Sequence, residues 1–120
     1  MHRALVITLC LLVWPASAQT AAPYDTRMQR LAEVLGSLHH LRPLCGSNEG
    51  AKWRERMAGI LEAENPSAER RARLIARFNR GYDTFARSYT TCTPLALRAA
   101  ERYAKEGVRL TAQIVSRYAR

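Results

Sequence analysis

The residues whose types suit chemistry gather around two cysteines. Arg42-Pro43-Leu44-Cys45-Gly46-Ser47-Asn48-Glu49 is one loop, with Trp53 a turn further on, His39 a turn before, and Tyr89 a turn before Cys92. A guanidinium, a carboxylate, an indole, a phenol and an imidazole can line a small polar pocket. The set His39, Arg42, Glu49, Trp53 and Tyr89 is therefore a candidate binding site, although it names no reaction. The same residues also make an end cap, and that is the simpler reading: Arg42 pairs with Glu49 on a helix N-terminus while Trp53 and Tyr89 cover a Cys45–Cys92 bridge.

Other constellations carry less. His39 and His40 are adjacent, so on a helix they diverge by about 100° and cannot chelate one ion from one face. His39 falls nearer the apolar side and His40 is expected to face solvent. No further His or Glu stands at helical ligand spacing, so no metal and no cofactor are expected. A Gly-x-Ser-x-Gly elbow, a phosphate-cradling glycine loop and a Cys-x-x-Cys pair are all missing, and no residue is assigned a catalytic role. Glu62 and Glu64 are two residues apart and point to different sides, unlike carboxylates facing each other across a cleft.

A second candidate binding surface is basic. Arg70, Arg73, Arg77, Arg80 and Arg87 fall within about 100° of helical arc, opposite the stripe Leu74, Phe78, Tyr82 and Phe85. The expectation is a solvent-facing arginine stripe that takes phosphate or carboxylate through bidentate forks. An ordinary solvated face would carry the same residues. Aromatics are not interleaved with the arginines, so stacking on single-stranded bases is not suggested.

These residues need helices to position them. Tyr24, Met28, Leu31, Leu35 and Leu38 repeat at helical spacing after a cap at Asp25 or Thr26, and the pattern fades near Arg42, before Pro43. Ser47 or Asn48 opens a second helix with stripe Trp53, Met57, Ile60 and Leu61, broken at Asn65-Pro66-Ser67. A third covers roughly 67–91. Thr93-Pro94 caps a fourth, which runs towards Arg117 on Ala96, Ala99, Tyr103, Leu110 and Ile114, with Gly107 allowing a neighbour close. Short loops favour an all-α, antiparallel up-down-up-down four-helix bundle. Cys45 follows the first helix and Cys92 the third, so one disulfide would link two loops at one end.

Compartment follows from the N-terminus. Arg3 gives a cationic start, Ala4 to Val13 is uncharged, and Ala16-Ser17-Ala18 supplies small-x-small, so residues 1–18 read as a signal peptide cleaved after Ala18. At about 1.5 Å per residue the apolar run covers about half of a roughly 30 Å hydrocarbon core, too little for an anchor. Residues 19–24 are a short leader and 25–120 a single domain. Cleavage removes Cys10, one of three cysteines, leaving Cys45 and Cys92 for one disulfide in an oxidising compartment. It also removes Arg3, taking the formal charge from +9 to one less. Such a balance implies anionic company. Export argues against nucleic acid and for lipid head groups, lipopolysaccharide, peptidoglycan or an acidic protein.

The stretches Leu38-His39-His40-Leu41-Arg42-Pro43-Leu44-Cys45-Gly46, Trp53-Arg54-Glu55-Arg56-Met57, Phe78-Asn79-Arg80-Gly81-Tyr82 and Tyr89-Thr90-Thr91-Cys92-Thr93 resemble a family of small exported alphaproteobacterial proteins of unknown function with two cysteines. The resemblance spans nearly all of the chain after the signal. It implies a periplasmic location and a disulfide between the two cysteines, and no activity. His40 departs from it, since an aromatic such as tyrosine is expected there.

Three functions compete. The leading expectation is a non-enzymatic periplasmic binding or accessory protein that contacts an anionic envelope component or an acidic protein through the arginine stripe. A small-ligand or enzymatic site at the disulfide pole is the second. The third, an envelope stress or chaperone-like protein, rests on fold-level analogy alone.

Overall fold

A computed structural model describes residues 22–118; residues 1–18, expected as a signal peptide, and the first half of the expected leader lie outside them. Four helices follow in order, α1 (Asp25–Leu44), α2 (Lys52–Glu64), α3 (Ala68–Ser88) and α4 (Pro94–Tyr118). They form an all-α four-helix bundle in which Cys45–Cys92 bridges the α1–α2 and α3–α4 loops, with 4.9 Å between the Cα atoms.

The first helix is the hub. Besides the expected stripe it buries Ala32, Val34, Gly36, Ser37 and Leu41, so apolar or small residues surround it on every side, as suits a helix enclosed by others. The other three helices all pack on α1, and α2 and α4 do not pack extensively on each other. Tyr24 reaches Glu64 of α2 and Arg30 reaches Glu106 of α4, so both run antiparallel to α1. Asp25 meets Arg70 and Glu33 meets Arg77, so α3 runs parallel to it.

Two glycines let α1 and α3 approach so closely. A Cβ on Gly36 would collide with the carbonyl oxygen of Phe78, and one on Gly81 with that of Glu33. Gly107 does a milder version of this in α4, where an added Cβ would stand 3.4 Å from Val34.

Local details depart from expectation in four places. Neither Asp25 nor Thr26 is the N-cap of α1; Tyr24 is, without a side-chain bond, and Asp25 lies inside the first turn. Pro43 lies within the last turn of α1 and does not end it. Its missing N–H would have served the His39 carbonyl, a loss of one bond at a helix end. The Cys45 and Gly46 N–H groups still bond Leu41 and Pro43, and Gly46 takes φ +90°, where glycine is favoured. The second helix begins at Lys52, later than Ser47 or Asn48, which leaves Glu49 in the loop before it. The third ends at Ser88, followed by an extended Tyr89. Thr93 caps α4 as the sequence suggests, and Ser67, expected only as part of the break after α2, caps α3. The Ser67 hydroxyl accepts the Arg70 N–H, and that of Thr93 accepts the Ala96 N–H.

Candidate functional site

At the disulfide pole the side chains divide between different neighbours. Arg42 forks onto Glu49 at 3.0 and 3.3 Å, and Lys52 adds a contact at 3.2 Å. Those hydrogen bonds, that from Arg42 foremost, hold the Glu49 carboxyl down to about 2. The pair expected in the cap is present. Tyr89 stacks on Phe85 and packs with Cys45 against Leu41, Ala96, Ala99 and Ala100.

Trp53 does not cover the bridge. It is buried in the main core with Met28, Leu38 and Met57, away from the cluster holding Cys45. It shares the α2 face of Met57 and Leu61, which packs into that core. Arg56 lies over its ring at 4.9 Å and Lys52 at 5.1 Å.

The histidines also part. His39 lies against Phe78 and Tyr82, and its Nδ1 is buried without a partner. Burial, with Arg54 and His40 charges nearby, holds its pKa below the ordinary value. His40 was expected to face solvent, but it is half-buried with Nε2 at 2.7 Å from the Tyr89 carbonyl oxygen. A carbonyl only accepts, so Nε2 carries a proton there. His39, Arg42, Glu49, Trp53 and Tyr89 thus do not converge on one ligand position. Among the described residues no group of three or more His, Cys, Asp or Glu could hold a metal ion.

The arginine stripe divides too, which corrects the expectation of five solvent-facing side chains. Arg70 is nearly closed to solvent, donating to Asp25 Oδ1 at 2.6 Å and Glu64 Oε2 at 3.0 Å. Arg77 meets Glu33 at 2.8 Å. Both stand at the edge of the α3 arc nearest α1, whose carboxylates capture them. Arg73, Arg80 and Arg87 remain exposed and make no ion pair among the described residues. Seven residues separate each from the next, so they form one row, about 10.5 Å apart along the axis. Arg80 and Arg87 border a shallow concavity with Asn79, Asp83 and Thr84.

A larger feature went unread in the sequence. Between α2 and α4 runs an apolar crevice of about 910 Å³, floored by Met28, Leu31, Leu35 and Leu38 of α1. Its α4 wall includes Val108 and Val115, which are 73% and 57% exposed. The signal was present: Ala104, Val108, Thr111 and Val115 repeat at four and three on a face distinct from the Ala96–Ile114 stripe.

No helix among the described residues is long and apolar enough to cross a membrane. No curated protein and no solved structure matches the chain. A family model described as "Protein of unknown function (DUF2385)" matches residues 23–118, from the residue before Tyr24 to the end of α4. The chain belongs to that DUF2385 family.

Proposed function

We propose that this protein is a non-enzymatic periplasmic binding or accessory protein that contacts an anionic envelope component through the outer face of α3. The observation that carries the reading is the row Arg73, Arg80 and Arg87. The ion pairs on the inner edge of α3 hold Arg70 and Arg77 and leave these three cations on one line with no ion pair among the described residues. Guanidinium groups so spaced suit repeating phosphate or carboxylate groups better than one small anion. The sequence supplies the compartment through the signal pattern of residues 1–18 and the two remaining cysteines. The reading assigns no catalytic residue.

The test is co-sedimentation of the oxidised protein with anionic vesicles, lipopolysaccharide and peptidoglycan across a salt series. Retention on one fraction that falls steeply with salt is the expected result. No retention at low salt on any of the three would contradict it and direct attention to acidic proteins.

A further inference from the structure

We infer that the crevice between α2 and α4 is a binding site for a long-chain fatty acid, separate from the arginine face of α3. The crevice is deep and open along one wall. The floor is closed to solvent, with Met28, Leu31, Leu35 and Leu38 between 1% and 6% exposed, while Val108 and Val115 on the wall stand open. A helix, about 10–12 Å across, would rest on the rims; a single hydrocarbon chain is narrow enough to enter between them. The volume of about 910 Å³ falls within the roughly 300–1,000 Å³ of small-molecule sites, which also occur between helices of bundles.

The two ends of the crevice differ. Helices α1 and α4 are antiparallel, so Tyr24 and Tyr118 meet at one end, their ring centroids 5.4 Å apart. There the Tyr24 hydroxyl donates to Glu64, itself bonded to Arg70, so the carboxylate is satisfied. The other end, by Leu38 and Trp53, is cationic. Arg56 lines the crevice over the Trp53 ring and makes no ion pair with any described residue. Lys52, itself paired with Glu49, covers the same ring, and Lys105 follows Ala104 of the opposite wall. The acids Glu55 and Glu62 of α2 fall on its other faces.

A chain lying along the floor would place its methyl end against Tyr24 and Tyr118 and its carboxylate beside Arg56. From Tyr24 to Leu38 the floor runs about 21 Å, the length of an extended chain of roughly 16–18 carbons, in which each bond of about 1.5 Å advances the zigzag by about 1.3 Å. Between these ends Thr111 is the wall's one hydroxyl, too little for the hydroxyls of a glycerol head group. A second copy of this net-positive chain is disfavoured by like charge.

Trp53 provides the readout. The chain has two tryptophans, so Trp14→Phe leaves Trp53 as the sole indole. Titration of that chain with stearic acid spin-labelled at carbon 5 or at carbon 16 should quench Trp53 at micromolar concentration, more strongly for the label at carbon 5. Val108→Glu, a change at an exposed position that spares folding, should weaken binding at least tenfold. Arg56→Gln should weaken the acid but not its methyl ester. No quenching, equal affinity in Val108→Glu, or stronger quenching from carbon 16 would overturn the assignment. So would a ligand-free dimer abolished by Val108→Glu, which would make a second copy the occupant. Loss of the arginine row leaves all of these expectations unchanged.

Discussion

Arg70 of α3 donates through Nε to Asp25 of α1 at 2.6 Å, with both side chains nearly closed to solvent. Gln29 and Glu64 complete the cluster, Gln29 donating to Asp25 and Glu64 accepting from Arg70. The pair ties the start of α1 to the start of α3, at the opposite end from the disulfide. Together the two ties hold the parallel α1–α3 pair in register.

Removing Arg70 strands a buried carboxylate. Burial alone raises the Asp25 pKa, but the hydrogen bonds from Arg70 and Gln29 and the charges of Arg70 and Arg73 outweigh it and hold the value below 3.8. A depressed carboxyl stabilises the fold above its unfolded pKa, and that contribution is lost as pH falls through the folded one. Arg70→Ala should therefore cost about 3–5 kcal/mol at pH 7. The deficit should shrink on acidification below pH about 3.8, where the wild type loses the same contribution. Urea melts of both proteins at pH 7 and pH 3 measure it; an equal deficit at both pH values would contradict the pairing.

The glycines at the α1–α3 crossing should not tolerate a methyl. Gly36→Ala and Gly81→Ala each place a Cβ on a backbone carbonyl of the partner helix. Each should destabilise by about 1–3 kcal/mol or more. Gly59 of α2 has open space around it, and Gly59→Ala should stabilise by about 0.5–1 kcal/mol. Chemical denaturation of the three variants should give these opposite signs.

Breaking the staple should cost a comparable amount. Cys45 and Cys92 are 47 residues apart, which in the chain-entropy model corresponds to about 4 kcal/mol. The Cys45→Ser/Cys92→Ser double variant should keep its helical circular dichroism in water and lose about that much in a urea melt. A loss below about 1 kcal/mol would show that the Arg70 cluster and the glycine crossing suffice.

His39 should make the fold sensitive to mild acid. Its buried Nδ1 lacks a partner, and burial, Arg54 and His40 all disfavour the charged ring. A histidine depressed in the fold binds its proton more readily when unfolded, so stability is complete above about pH 6.5 and falls as pH drops towards the lower folded value. His39→Gln, uncharged throughout, should flatten the melting profile between pH 7 and pH 5. An unchanged slope would place the sensitivity elsewhere.

What could be read from residues alone follows from what periodicity encodes. It reports one apolar face per helix, enough for the stripe of α2 and for Leu74 and Phe78 of α3, while Thr93-Pro94 marks the cap of α4 and the helix order puts the two cysteines at a shared end. It is blind to a helix enclosed on all sides: Val34, Gly36 and Ser37 lie between the stripe members of α1 and read as ordinary positions. A glycine against a carbonyl leaves no mark in either helix, because the partner atom is backbone. Arg70 and Arg77 show the limit for charge. They differ from Arg73 and Arg80 by less than a quarter turn, and only the place of Asp25 and Glu33 on α1 decides which are captured. Trp53 belongs to the core through the α2 stripe it shares with Met57 and Leu61, and nearness to Cys45 in sequence does not bring it to the bridge.

The binding reading rests on three arginines in one row, and neutralising that row tests it most directly. Arg73→Gln/Arg80→Gln/Arg87→Gln removes exposed charge and no ion pair found among the described residues, so its urea midpoint should match that of the wild type. On anionic vesicles across a salt series, the account predicts weaker binding by tenfold or more at low salt and a flatter salt dependence. Unchanged affinity and slope in a fully folded triple variant would contradict it.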